Sequence, residues 1–155
     1  MVKYLLEVIY FMEKTVLVTG SSSGLGKSII EKFASNGWNT IITYLTHEKD
    51  ALEFNNYIIN TYNVDSKCFK LDVTSEKSIN ELNSKVTYLD VLINNAGISI
   101  DNDINLKSKD EFMKVVSVNL LGTFLMSKAF GKNMFERKSG SIINISSNNG
   151  IDSYY

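Results

Sequence analysis

The chain has 155 residues, of which 44% are hydrophobic and 21% are charged, so it is long enough for one globular domain with a buried core. Its net charge of −1 gives no electrostatic reason to bind nucleic acid or an anionic membrane, and no apolar run is long enough to span a bilayer. The single cysteine, Cys68, excludes an internal disulfide and fits a reducing compartment, and no His/Cys cluster has metal-ligand spacing. We therefore expect a cytoplasmic protein without a metal site.

The first residues, 1–11, are mostly apolar and precede the first predicted strand. They have only one basic residue and no small-residue cleavage site, so they do not match a secretory signal. We expect residues 1–11 to be an N-terminal extension and residues 12–155 to form the domain. The alternative is that residues 1–11 are an extra strand or a docking segment.

Strands and helices alternate along the rest of the chain. The hydrophobic pattern predicts strands at 15–18, 39–44, 67–71, 91–94 and 141–146, and helices at 25–36, 48–60, 75–85 and 109–137. This alternation predicts an α/β fold of the Rossmann type, a doubly wound parallel sheet with helices on both faces. Ligands of such sheets bind beyond the carboxyl ends of the strands.

The last predicted helix and strand carry two further expectations. Ser108 and Glu111 form a capping box at the start of the helix. Its apolar side chains form a stripe that we expect to face the core: Phe112, Val115, Val116, Leu120 and Phe124. The fifth strand, at 141–146, is apolar and unprotected, and we expect it to be an uncovered sheet edge.

A glycine-rich turn, TGSSSGLG at residues 19–26, follows the first strand and opens the first helix. Glycines let a backbone approach a ligand closely, and a helix N-terminus offers free N–H groups to a phosphate. This context predicts a pyrophosphate site. We assign six residues to it: Gly20, Ser22, Ser23, Gly24, Leu25 and Gly26.

Polar and small residues also follow the third and fourth strands. Asp72 and Val73 end the third strand, where a carboxylate can accept a hydrogen bond from an adenine amino group; the alternative is an ordinary loop or helix-capping residue. Asn94, Ala96 and Gly97 lie in an NNAG sequence after the fourth strand. We interpret NNAG as backbone that passes close to a flat ligand rather than as a plain turn.

Two later positions are candidates for chemistry. Asn119 lies within an apolar stretch of the last helix, where an amide must find a hydrogen-bond partner. The partner is either backbone or a water molecule near a reaction centre. Ser146 and Ser147 end the fifth strand, where a hydroxyl would reach the same crevice or cap the strand end. His47 is expected to be solvated, and Cys68 to pack as a small apolar residue.

In order, TGSSSGLG, Asp72, NNAG, Asn119 and the GSIINISS segment at residues 140–147 resemble the short-chain dehydrogenase/reductase family. The resemblance implies hydride transfer between a nicotinamide cofactor and a carbonyl or alcohol substrate, for example a 3-oxoacyl thioester. It implies that Ser147 bonds the substrate oxygen, that Asn119 holds a relay water, and that Tyr44 adds to the cofactor site. It also implies a homo-oligomer.

The family's YxxxK segment lies further beyond Ser147 than this chain extends, and neither Tyr154 nor Tyr155 matches its tyrosine. We therefore expect the N-terminal portion of a longer reductase, truncated after its fifth strand. The alternative is a non-catalytic dinucleotide-binding or interaction module.

The end of the second strand bears on the choice of cofactor. NAD-selective members place an acid there, and residues 43–47 contain none, which favours NADP over NAD. His47 and Lys49 are candidates to reach a 2′-phosphate. Ser23 stands where many NADP-selective members carry a basic residue, which weakens this preference and keeps NAD open.

Overall fold

The computed structural model of the chain describes residues 14–147. In chain order its elements are β1 Thr15–Val18, α1 Gly24–Ala34, β2 Asn39–Tyr44, α2 Glu48–Tyr62, β3 Ser66–Lys70, α3 Glu76–Asn83, β4 Val91–Asn94, α4 Lys109–Val116, a π-helical segment Ser117–Gly122, α5 Thr123–Glu136 and β5 Ser141–Asn144. The predicted extension at residues 1–11 lies outside the described residues, as do Tyr154 and Tyr155.

The strands form one parallel sheet in the order β3-β2-β1-β4-β5. The chain moves outward from β1 to β3 and then returns to β4 on the other side of β1. The strand order therefore reverses between β1 and β4, and a crevice opens at the carboxyl end of the sheet at such a point. The predicted Rossmann-type fold is confirmed.

The core consists of two apolar clusters, one on each face of the sheet. Val16 and Val18 pack with side chains of α1 and α2, whereas Leu17 between them packs with side chains of α3 and α5. Because the central strands are buried on both faces, their sequences are continuous apolar runs. Cys68 is half-buried against the first of these clusters, as predicted, and burial followed by the charge of Glu48 raises its pKa to about 11.

The prediction for the last helix is wrong in two respects. A π-helical segment interrupts it, and the predicted stripe does not face the core: Phe112, Leu120 and Phe124 are 57%, 68% and 58% exposed. The wider π turn shifts the helix face, so an α-helical period counted across it selects the wrong side chains. The helix instead contributes four buried residues from α5 to the core: Leu125, Met126, Phe130 and Met134.

Element ends differ from the predictions where backbone geometry stops an element. α1 ends at Ala34, and α2 continues to Tyr62, where Asn63 adopts a left-handed φ of 53°. The predicted capping box of Ser108 and Glu111 is present. β5 ends at Asn144 and is one of the two edge strands of the sheet among the described residues; the other is β3. The prediction that the fifth strand is a sheet edge is confirmed.

Candidate functional site

The glycine-rich turn needs glycine at two positions. Gly20 has a φ of +63°, and a Cβ there would lie 3.1 Å from Cα of Ala96. A Cβ on Gly26 would lie 2.6 Å from Nδ2 of Asn95 and 2.8 Å from the carbonyl oxygen of Gly20. The absence of side chains therefore lets α1 and the turn after β4 both approach the turn after β1.

Two polar side chains fasten these turns together. The backbone N–H groups of Asn95 and Ala96 donate to Oγ1 of Thr19 at 2.9 and 2.8 Å. Nδ2 of Asn95 donates to the carbonyl oxygens of Thr19 and Gly20 at 2.9 and 3.2 Å. The sequence prediction did not include Thr19 and Asn95, whose bonds serve the protein's own backbone.

The glycine-rich turn is also fastened to β2. The N–H of Gly20 donates to Oγ1 of Thr43 at 3.0 Å, and the N–H of Ser21 donates to the carbonyl oxygen of Thr43 at 2.9 Å. The N–H of Thr43 donates to Oγ of buried Ser21 at 3.0 Å. The turn is thus held on both sides before any ligand binds.

The first cavity, of about 320 Å³, opens at the carboxyl end of the sheet. It brings together eight of the residues predicted to bind cofactor: Gly20, Ser22, Ser23, Tyr44, Asp72, Val73, Ala96 and Gly97. The remaining lining was not predicted, and most of it is apolar: Leu45, Thr46, Leu71, Asn95, Ile98 and Val118. An elongated ligand with flat apolar parts and a few polar groups suits such a surface.

Four predicted cofactor residues do not line this cavity. Gly24, Leu25 and Gly26 form the first turn of α1, and Leu25 is 57% exposed. Asn94 is buried, and its Nδ2 donates to Oγ of Ser127 at 3.0 Å and to Oδ1 of Asn144 at 2.9 Å. Asn94 therefore ties β4 to α5 and β5.

Asp72 is half-buried in the wall of the first cavity. Its Oδ1 accepts hydrogen bonds from the N–H and Oγ1 of Thr74 at 2.9 and 2.7 Å, while Ser75 caps α3 by accepting from the N–H of Ser78. The alternative role of helix cap therefore falls to Ser75. Within residues 14–147 no group donates to Oδ2 of Asp72, which leaves that oxygen able to accept from a ligand.

The end of β2 carries a buried tyrosine and two exposed basic groups. The hydroxyl of Tyr44 donates to Oε1 of Glu48 at 2.8 Å, and burial followed by this bond raises the pKa of Tyr44 to about 12. Nδ1 of His47 lies 3.0 Å from Oγ1 of Thr46, and His47 is exposed, as predicted. Lys49 lies 3.8 Å from Glu53 in an exposed pair on α2.

The second cavity, of about 410 Å³, adjoins the first and shares residues 95–98 with it. We call residues 95–98 the shared wall. The second cavity brings together Asn119 and Ser147, with Thr123, Ile145 and Ser146 completing its lining. Its hydroxyl and amide groups could bind the oxygen of a small substrate beside whatever ligand lies against the shared wall.

The amide of Asn119 holds the shared wall in place. Its Oδ1 accepts from the N–H of Ile98 at 2.9 Å, and its Nδ2 donates to the carbonyl oxygen of Ile98 at 3.0 Å. Asn119 lies in the π-helical segment and is exposed rather than buried. The backbone partner that the sequence left as one alternative is therefore present, although it comes from the β4 loop.

Residues 14–147 contain neither a candidate metal centre nor a helix that could span a membrane. Among residues 14–147 there is no group of three or more His, Cys, Asp or Glu side chains able to hold a metal ion. None of the helices in that range is long and apolar enough to cross a membrane.

Comparisons with known proteins agree with this geometry. Residues 14–155 match the family model described as short chain dehydrogenase. The chain is 39% identical over 138 residues to the 3-oxoacyl-(acyl-carrier-protein) reductase FabG of Aquifex aeolicus, an alignment that covers 86% of this chain and 55% of that protein. It is 37% identical to FabG of Rickettsia typhi, with 93% and 58% covered.

A solved structure, that of ElxO with NADP bound, is similar in both sequence and fold. It is 34% identical, has a TM-score of 0.81, and is matched over 92% of this chain and 59% of that one. The chain therefore spans little more than half the length of these relatives.

Proposed function

The chain belongs to the short-chain dehydrogenase family, and from that premise we propose that it carries the cofactor site of an NAD(P)-dependent oxidoreductase. When bound, the nicotinamide gives a hydride to a carbonyl carbon or takes one from an alcohol carbon. One observation carries the proposal: the shared wall lines both the first cavity and the cavity that holds Asn119 and Ser147. A cofactor against that wall has the substrate groups as direct neighbours.

The residues of the first cavity fit a dinucleotide. A Cβ at Gly20 would crowd Ala96, so this part of the first cavity is open only because glycine occupies the position. The glycine-rich turn would hold the pyrophosphate at the start of α1, where N–H groups are free of helix partners. Oδ2 of Asp72 would accept from the adenine amino group, beside Val73.

In the second cavity Ser147 would donate its hydroxyl hydrogen to the substrate oxygen. Such a bond holds the carbonyl in place and stabilises negative charge that develops on its oxygen. Asn119 would keep the shared wall in position through Ile98. This division of roles requires both side chains, since one contacts the substrate and the other fixes the surface beside it.

NADP fits the end of β2 better than NAD. The cavity lining there is Tyr44, Leu45 and Thr46, without a carboxylate to bind a ribose 2′-hydroxyl. Glu48 is held by Tyr44, whereas His47 and Lys49 are exposed near this lining and remain the basic candidates to reach a 2′-phosphate. ElxO, the 34% identical structure, has NADP bound.

We infer the substrate class from the relatives and the assembly from the exposed surface. The FabG relatives are named 3-oxoacyl-(acyl-carrier-protein) reductases, so we take a 3-oxoacyl thioester as the first substrate to test. The exposed Phe112, Leu120 and Phe124 support a homo-oligomer. A cytoplasmic location is consistent with Cys68 as the single cysteine.

Fluorescence titration with NADPH and NADH tests the proposal. We compare wild type with Asp72→Asn, which retains an oxygen for Thr74 but loses one acceptor, and with the control Asp110→Asn on α4. We expect NADPH to bind more tightly than NADH, and D72N to weaken both by about ten- to hundredfold, because a bond to a charged group contributes about 1.5–3 kcal/mol. D110N should bind as wild type does.

Ser147→Ala separates binding from catalysis. It should bind NADPH normally and remove whatever reduction of a 3-oxoacyl thioester the wild type shows, measured as the loss of NADPH absorbance. Binding of neither cofactor by wild type would refute the proposal. Tighter binding of NADH would refute the NADP preference, and tight binding without turnover would leave a dinucleotide-binding module.

A further inference from the structure

A third cavity, of about 360 Å³, lies between α3 and α5 and has no part in the function described above. It shares no lining residue with the first or the second cavity. Because α3 and α5 both connect strands of one parallel sheet, the two helices run in the same direction. The lining residues recur at every third or fourth position of each helix, so the cavity is a groove between two facing helix sides.

The floor of the third cavity is apolar. Ile79 of α3 and Leu125 of α5 are buried members of one core cluster, and Ala129 of α5 packs against that cluster. The short side chain of Ala129 leaves space between the helices that a larger residue would fill. A hydrocarbon chain that lies on these three side chains would be removed from water, which favours its binding.

The rim of the third cavity on α5 is basic. Lys128 and Lys132 lie one helical turn apart, and both line the cavity. Lys128 has no ion-pair partner among residues 14–147, and Lys132 lies 3.9 Å from Glu136 in an exposed pair that contributes little. Two ammonium groups beside an apolar floor are complementary to an anion with an apolar chain.

The rim on α3 supplies an amide and one carboxylate. Oδ1 of Asn83 is buried without a hydrogen-bond partner among residues 14–147, and Nδ2 of the same side chain has no partner there either. No protein contact therefore fixes this amide, and its Nδ2 can donate to an anion. With Glu76 the lining carries two positive charges and one negative charge, which suits a singly charged anion better than a phosphate dianion.

We propose that the third cavity binds a monocarboxylate with a short hydrocarbon chain. The chain lies on the apolar floor, and the carboxylate lies at the ammonium groups of Lys128 and Lys132. A volume of about 360 Å³ is within the range of small-molecule sites and accommodates a ligand of the size of octanoate. The ligand is a different compound from the 3-oxoacyl thioester discussed above, because a thioester lacks the free carboxylate that the lysines bind.

NMR titration of the full chain, in a buffer without phosphate, tests the proposal. Three ligands are compared: octanoate; octanamide, which has the same shape without the charge; and acetate, which has the charge without the chain. The variants are Lys128→Gln, the double variant with Lys132→Gln, and Ala129→Phe, which fills the groove. Lys114→Gln on α4 is the control, because Lys114 is equally exposed and lines none of the three cavities.

We expect octanoate to shift the backbone signals of α3 and α5 and to bind about tenfold more tightly than octanamide or acetate. K128Q should weaken octanoate about two- to fivefold and the double variant about tenfold, the scale of partly exposed ion pairs. A129F should abolish binding, and K114Q should bind as wild type does. In the double variant octanoate and octanamide should bind equally, since the charges that distinguish them are gone.

Three results would overturn the proposal: no binding of octanoate by wild type, equal binding by wild type and the double variant, or displacement of octanoate by saturating NADPH. Displacement would place octanoate in the first or the second cavity. NADPH binding is measured separately, so a chain that binds octanoate in the groove but no dinucleotide would refute the proposed function and leave this inference standing.

Discussion

Replacing Gly26 by alanine tests how closely α1 packs on the glycine-rich turn. A Cβ at this position would lie 2.6 Å from Nδ2 of Asn95, 2.8 Å from the carbonyl oxygen of Gly20 and 2.9 Å from Cα of Ser21. Two of these atoms belong to the backbone and cannot rotate away. The amide of Asn95 can move, but it then loses its bonds to the carbonyl oxygens of Thr19 and Gly20.

The expected cost follows from these contacts. Overpacking costs about 1–3 kcal/mol, and the loss of two hydrogen bonds about 1 kcal/mol each. Alanine recovers about 1 kcal/mol as a better helix former, so we expect G26A to lower the free energy of unfolding by about 3 kcal/mol. Gly24→Ala is the matched control: its Cβ meets open space, and its φ of +54° costs about 1–2 kcal/mol.

Urea unfolding measures both variants, and NADPH titration reports on the turn. We expect G26A to be the less stable protein and to bind NADPH more weakly, since its clash displaces Gly20 and Asn95 in the cavity wall. The double variant with Asn95→Ala should recover only part of the loss, because the backbone contacts remain. Equal destabilisation by G24A and G26A would refute the reasoning, as would full recovery in the double variant.

Two further predictions concern alkaline pH and assembly. Tyr44 and Cys68 have pKa values raised from 10.0 and 9.0 to about 12 and 11, so both stay neutral in the folded chain over a range where they ionise when unfolded. These two groups should therefore leave the free energy of unfolding unchanged below pH 9 and lower it between pH 9 and 12. Urea unfolding at a series of pH values measures this fall, and Tyr44→Phe should reduce its slope above pH 10. A slope unchanged by Tyr44→Phe would contradict the prediction. Phe112, Leu120 and Phe124 form the exposed apolar face that we propose as the oligomer contact. Phe124→Lys should therefore lower the molar mass measured by light scattering, whereas the control Tyr57→Lys on α2 should not. Equal masses for F124K and wild type would exclude this face as the contact.

Local sequence patterns predicted most of the fold because strand burial is a local property of the chain. The apolar runs in β1, β2 and β4 are buried on both faces, so each is recognised from its own residues. The π-helical segment could not be predicted in this way, since nothing in residues 117–122 marks an i→i+5 backbone turn. The error spread to Leu120 and Phe124, whose expected burial depended on an unbroken helix.

The residues of the candidate site were likewise predicted only in part. Residues that would contact a ligand, such as Gly20 and Asp72, stand at strand ends and were found from their positions. Thr19 and Asn95 lie in the predicted TGSSSGLG and NNAG motifs but were not assigned a role, because their role is to bond each other's turns across a separation of 76 residues. Thr123, which lines the second cavity, was not predicted, because its partner is a backbone carbonyl, which has no signature in the sequence.

These supporting bonds converge on the shared wall from both sides. Oγ1 of Thr19 accepts from the N–H groups of Asn95 and Ala96, while the amide of Asn119 engages both backbone groups of Ile98. The wall is therefore fixed by the turn after β1 at one end and by the π-helical segment at the other. Since the wall lines both cavities, a change that loosens either attachment alters the surface that cofactor and substrate would share. The glycine-rich turn and the π-helical segment thus act on the same surface, although one lies in the sheet's first crossover and the other in its last.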